Sequence, residues 1–190
     1  ALHLPYLVSG AALWCGASLL TAFAFSPMWR KKEAGVGRVL TLALFAALAF
    51  LPSSWAAYTL RVYRDNIFPA LCLYFFAGMA GMALRAVLET DKPLWPWLAA
   101  AGAGLACGYL DREDAGLFLL PFAAVATVIV AVVLAGTRRW KALAAQLIPY
   151  VMLGVGVLTF CTLNYTHYGV FALSDFSEGS FSAAMGAMMR

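Results

Sequence analysis

Apolar residues fill this chain in long blocks, and polar residues interrupt it in short clusters. The blocks cover about 6–25, 39–58, 67–87, 94–110, 117–135 and 143–163. A helix needs about 20 apolar residues to cross the hydrocarbon core of a bilayer. The pattern therefore predicts an all-α fold, a polytopic transmembrane helical bundle of about six spans. Prolines fall near block ends. Pro52 interrupts the second block near its far end, and Pro121 lies near the start of the fifth. Pro69 sits in the first turn of the third, where a missing N–H is tolerated. Asp65 or Asn66 is the expected N-cap there. Pro149 is expected to kink or open the sixth. On the fourth block Ala100, Gly104 and Gly108 recur every four residues, a small-residue face that lets a neighbouring helix approach closely. After Asn164 the apolar run ends. The chain reads as a transmembrane domain, 1–163, and a short extramembrane segment, 164–190, in which a further helix begins near Ser182.

Composition agrees with this class. Of 190 residues, 64% are apolar and 12% charged, and mean hydropathy is +0.83. Soluble domains carry roughly 25% charged residues. The net charge of +4 is small and scattered, which excludes nucleic acid as a partner. Charge instead sets topology. One face of a six-span bundle receives Arg30, Lys31, Lys32, Arg38, Arg85, Lys92, Arg138, Arg139 and Lys141. The other receives Arg61, Arg64, Arg112 and Arg190. Nine basic residues against four make the first face cytoplasmic. The acidic loops and both termini then lie outside.

The outer polar clusters carry the candidate chemistry. Asp111-Arg112-Glu113-Asp114 packs four ionisable residues between two apolar blocks. One reading is a capped helix start, with Asp111 at the N-cap and Asp114 at N3. It accounts less well for Arg112 and Glu113. The other reading is a polar site: Arg112 holds a phosphate-like anion while a carboxylate orients a hydroxyl or a metal. Arg64-Asp65-Asn66 also opens a block on this face, either as a cap with a snorkelling arginine or as the second half of the site. Two helix N-termini facing one way suit an anion, such as a lipid phosphate.

His167 lies among aromatics in Asn164-Tyr165-Thr166-His167-Tyr168, as a packing residue or as an acid–base group. Asn164-Tyr165-Thr166 also fits the glycosylation acceptor pattern. Cys15, Cys72, Cys107 and Cys161 each lie inside an apolar block, without a Cys-x-x-Cys pair or an adjacent His. They read as buried hydrophobes, forming no disulfide framework and no metal site. There is no Gly-rich phosphate loop, no His-Glu-x-x-His, no mid-span charge and no evident transporter repeat. These absences disfavour a transporter.

Two stretches resemble elements of bacterial integral membrane glycosyltransferases of the GT-C class, a poorly characterised branch. Arg64-Asp65-Asn66-Ile67-Phe68-Pro69 is similar to their Arg-Glu-x-Ile-Tyr-x element. Asp111-Arg112-Glu113-Asp114-Ala115-Gly116, running on to Pro121, is similar to their Thr-Arg-Glu-Glu-Gly-x-x-x-Leu-Pro element. Asp65 and Asp114 stand where Glu is expected. Tyr168-Gly169-Val170-Phe171 with Asp175, then Phe181, Ala184 and Gly186, is similar to the stretch that follows the membrane block in such proteins.

The resemblance implies a many-helix fold in a bacterial inner membrane. It also implies an active site on the outer side and transfer of a sugar from a polyprenyl-phosphate donor. Glu113 and Asp65 would orient donor, acceptor or a divalent cation; no cofactor is certain. Arg112 and Arg64 would bind phosphate, with Asp111, Asp114 and His167 lining the substrate site. The partners are then a lipid-linked sugar donor and membrane lipids. The class is expected to place a catalytic carboxylate in the first outer loop, and no long acidic outer loop follows the first block here. The chain, opening at Ala1 without Met, reads as a piece of a longer protein with that carboxylate upstream. The alternative is a non-catalytic helical scaffold or accessory subunit that binds a partner helix through Ala100, Gly104 and Gly108.

Overall fold

The computed structural model describes residues 3–29, 34–51, 66–89, 92–112, 114–173 and 187–188. Among them there is no strand. The helices are α1 (His3–Phe25), α2 (Ala34–Ala49), α3 (Phe68–Leu88), α4 (Trp95–Asp111), α5 (Ala115–Gly136), the short α6 (Trp140–Ala145) and α7 (Ile148–Tyr168). A 3₁₀ turn, Ser26–Trp29, extends α1. The helical bundle is the expected one, and among the described residues six long helices follow the apolar blocks, the second over its first half only. Four described segments are long and apolar enough to cross a membrane: Leu7–Trp29, Phe68–Leu88, Ala115–Gly136 and Trp140–Tyr168. α2, with 16 residues, and α4, with 17, are shorter.

Proline sets several boundaries. α3, α4 and α7 each carry one in the first turn: Pro69, Pro96 and Pro149. A first-turn N–H has no intrahelical partner to lose, so proline is tolerated there. The sixth block is opened by two non-helical residues, Gln146 and Leu147, just before Pro149. α2 stops at Ala49, short of Pro52, whose ring disfavours helical backbone in the residue before it. The far half of the second block lies outside the described residues. Pro121 is interior to α5, because that helix starts at Ala115 rather than Leu117. α7 runs on to Tyr168, past the end of the apolar run, and closes on Gly169 at φ +73°. A Cβ would strain that left-handed backbone.

The core is built on α3 and α4. α3 lies between α1 and α4, and α4 between α3 and α7; α2 packs on α1, and α5 packs on α3 and α4. Phe75, Met79 and Met82 of α3 are fully buried, as are Ala101 and Leu105 of α4. Two glycines set the spacing. A Cβ on Gly78 would stand 2.6 Å from the Ala101 nitrogen and the Trp97 oxygen. One on Gly104 would stand 2.6 Å from the Leu71 oxygen and the Phe75 nitrogen. The two backbones therefore touch, which maximises dispersion contact where lipid supplies no hydrophobic drive. Of the expected face of Ala100, Gly104 and Gly108, Gly104 makes the close approach, and its neighbour is α3 of the same chain; Gly108 lies against Leu119 of α5 and in ordinary contact with Leu71, and Ala100 is half-buried.

The outer faces are apolar. Phe118, Phe122, Val125, Val128 and Val132 of α5 are exposed, as are Val151, Val155 and Leu158 of α7. A patch of that extent is untenable in water and ordinary against acyl chains. Cys107 is exposed and Cys15 and Cys72 are half-buried, which corrects the reading of all four as buried thiols; Cys161 is buried. All four cysteines are free.

Candidate functional site

The alternating helices bring chemistry to the two ends of the bundle. One end holds Asn66, Asp111, Arg112, Asp114 and the last turn of α7. The other holds Trp29, Arg85, Glu89, Lys92 and residues 137–147.

At the first end Asp111 closes α4 rather than capping α5, contrary to the capping pattern. α4 simply continues through Tyr109 and Leu110. Arg112 is extended, at φ −130° and ψ 133°, and Asp114 occupies the N-cap position of α5. Asp114 makes no capping hydrogen bond, because its carboxylate is turned to Arg112. Arg112 Nε donates to Asp114 Oδ1 and Nη2 to Oδ2, both at 2.7 Å. This fork-on-carboxylate geometry is the strong form of a charged hydrogen bond. The pair is part-exposed, with side chains 32% and 42% accessible. The guanidinium carbon lies 5.1 Å from the centre of the Phe68 ring. Phe68 is the first residue of α3, so the chain after Arg64-Asp65 and the α4–α5 turn meet at one place.

Arg64, Asp65 and Glu113 lie outside the described residues. Asn66 is not the N-cap of α3; Ile67 holds that position. The Asn66 side chain is buried and packs on the bare backbone of Gly10 in α1, where a Cβ would collide with its amide. His167 is exposed in the last turn of α7, its ring edge-on to Tyr168 at 6.5 Å, and among the described residues nothing joins it to Arg112. The Asn164 amide donates to the Ala172 carbonyl at 2.8 Å, folding the tail back on the helix. Among the described residues no three metal-ligating side chains gather. Both Asp114 oxygens face Arg112, so the described part of the cluster offers no ready cation cage, and no step is derived through one.

Electrostatically the cluster is acidic. Residues 111–114 carry one positive and three negative side chains. Arg112 is thus balanced locally before any ligand arrives.

The second end contains a residue that the sequence marks only as one of the basic residues of that face. Arg85 lies in the last turn of α3 and is 8% exposed. Its Nη2 donates to the Phe23 carbonyl at 3.0 Å, and Nη1 faces the Ala24 and Gly81 carbonyls at 3.4 Å. The guanidinium stacks 3.8 Å from the centre of the Trp97 ring, and Nε lies 3.9 Å from Glu89. Carbonyls at the end of α1 lack helical partners and carry the negative end of the dipole. Arg85 reaches them from a neighbouring helix, sharing the Phe23 carbonyl with Ser26 Oγ, which donates to it at 2.8 Å. The available signal was its spacing, four residues after Gly81 and four before Glu89 on one helix face.

No family model, curated protein or solved structure matches this chain.

Proposed function

We propose that the chain is part of a bacterial inner-membrane glycosyltransferase of GT-C type, moving a sugar from a polyprenyl-phosphate donor at the outer leaflet. The Arg112 end faces outward and the Arg85 end faces the cytoplasm, by the excess of Lys and Arg at the latter. The bond between the sugar's anomeric carbon and the donor phosphate breaks, and a bond from that carbon to an acceptor oxygen forms. Arg112, with Arg64, stabilises the departing phosphate. Glu113 and Asp65 orient donor, acceptor or a divalent cation. The acceptor's proton passes to a carboxylate base, which the resemblance places in an outer loop of such enzymes. The observation that carries this reading is the seat of Arg112: a part-exposed guanidinium fork, at a helix junction, on the Phe68 ring that opens α3. The donor phosphate takes the place of the Asp114 carboxylate in that fork, one anion exchanged for another.

The test is sugar transfer from a lipid-linked donor by the full-length protein. R112A or E113Q is expected to lower turnover roughly a hundredfold, as loss of one charge-stabilising group does. Unchanged turnover in a folded variant removes the site.

A second reading, a non-catalytic helical scaffold, is favoured by the closed Arg112–Asp114 pair, which fastens the α4–α5 turn to α3. It expects the same substitutions to lower thermal stability and leave no transfer activity to lose.

A further inference from the structure

The Arg85 end of the bundle holds a cavity of about 800 Å³ between α1, the 3₁₀ turn, α2 and the last turn of α3. Phe23 and Leu42 form an apolar wall, and Arg38, Arg85, Glu89 and Lys92 bring charge to it. Among the described residues, three cations against one carboxylate leave the lining at +2. The cavity also contains two hydroxyls, and both have already given their protons to backbone. Ser26 Oγ donates to the Phe23 carbonyl at 2.8 Å, and Thr41 Oγ1 to the Gly37 carbonyl at 2.9 Å. Thr41 in turn accepts from Trp29 Nε1 at 2.9 Å. Hydroxyl donors therefore do not select the occupant; cations do. Arg85 is fixed by the carbonyls of α1, and Glu89 stands 3.9 Å from both Arg85 and Lys92. Arg38 and Lys92 are exposed at the mouth.

We infer that this cavity is a phosphate-binding site, with Arg38 and Lys92 as the recognising groups and Arg85 as the fixed charge behind them. The chemistry asks for an anion that tolerates an apolar wall. A phosphate group at the depth of a lipid headgroup meets both demands: its oxygens face the cations and its substituent lies along Phe23 and Leu42. Basic pockets beside membrane helices bind anionic headgroups in this way. The same donors would also accept a free phosphate, so the source is left to experiment. The site is at the opposite end of the helices from Arg112 and owes nothing to the proposed sugar transfer.

The full chain, purified and delipidated in a neutral detergent, would be titrated with phosphatidylglycerol, with diacylglycerol and with inorganic phosphate. Bound ligand would be read by native mass spectrometry and by the shift in melting temperature. Phosphatidylglycerol is expected to bind and diacylglycerol, which has the chains without phosphate, is not. R38Q/K92Q is expected to bind phosphatidylglycerol about thirtyfold more weakly, the loss that two interfacial cations at about 1 kcal/mol each imply. R138Q/R139Q, which removes equal charge outside the cavity, is expected to leave binding unchanged. Equal losses in the two double variants would show diffuse attraction and overturn the site. So would undiminished binding by R38Q/K92Q, or binding of diacylglycerol as tight as that of phosphatidylglycerol. Displacement of the lipid by inorganic phosphate would identify the free ion as sufficient. Failure to displace it would identify the headgroup with its chains. Arg38 and Lys92 are exposed, so the variant should fold; R38K/K92R, which restores the charge, should restore binding.

Discussion

Arg85→Met retains much of the side chain's stem and removes its guanidinium. The structure fixes what is lost. Among the described residues Arg85 makes one good charge-assisted hydrogen bond, to Phe23 at 3.0 Å, and two long ones at 3.4 Å. There is also the stacking on Trp97 at 3.8 Å and the pair with Glu89, whose side chain is 12% exposed. A hydrogen bond from a charged donor contributes about 1.5–3 kcal/mol. A desolvated cation–π contact adds about 1–2 kcal/mol. The long contacts add little, and the new thioether recovers some apolar contact. The loss should be about 3 kcal/mol, at the lower edge of what breaking a buried charge pair costs. Lys92, 3.9 Å from Glu89, keeps that carboxylate from being stranded outright. Reversible unfolding in mixed detergent–SDS micelles would measure it. Arg85→Lys keeps the charge but loses the fork and most of the stacking, and should fall about halfway between. Adding Glu89→Gln to Arg85→Met should return about 1 kcal/mol, since part of the damage is the carboxylate's own. If Arg85→Met unfolds within about 0.5 kcal/mol of the parent, the surface-substitution range, Arg85 is only a topology marker and the cap on α1 carries no weight.

Two further outcomes follow from the packing. Gly104→Val places carbon within 2.6 Å of backbone atoms that cannot move aside, and should destabilise by about 2–4 kcal/mol in the same unfolding assay. Gly154→Ala, with nothing within 4 Å of its Cβ, should be neutral or slightly stabilising. Asp114→Asn breaks the bidentate pair but leaves a part-exposed site, so the melting curve should report a loss under about 1 kcal/mol.

The helices were legible because long apolar blocks have one economical solution in a bilayer. Their order and most of their ends follow from the blocks and from Pro69 and Pro149. Register and partnership were less legible. The sequence pattern marks Gly104 and Gly108 as a close-approach face without saying whose helix approaches; only the fold supplies Leu71 and Phe75 of the same chain. The cap at Asp114 was misread because a carboxylate at the N-cap position can choose between backbone N–H groups and a guanidinium two residues away. The fork offers two strong hydrogen bonds at once. Asp111 was misread because nothing in Tyr109-Leu110-Asp111 stops a helix before Arg112. Arg85 was missed because a basic residue at a block's edge is ordinarily a topology signal. Its burial depends on the end of α1, sixty residues earlier, a distance that no local pattern spans.

The central helix is also the one least suited to enter a membrane unaided. α4 is 17 residues long, rich in Gly and Ala, and begins at Trp95-Pro96-Trp97; it is absent from the described segments with the length and hydropathy of a span. Partitioning from a translocation channel into lipid is decided largely by such apolar character. By that measure α4 depends on protein contact more than the four apolar spans do. The Gly78–Gly104 crossing ties it to α3, which is itself long and apolar enough to cross a membrane. What holds α4 in a bilayer is then its fit to α3, so a change at that crossing bears on membrane integration as well as on stability.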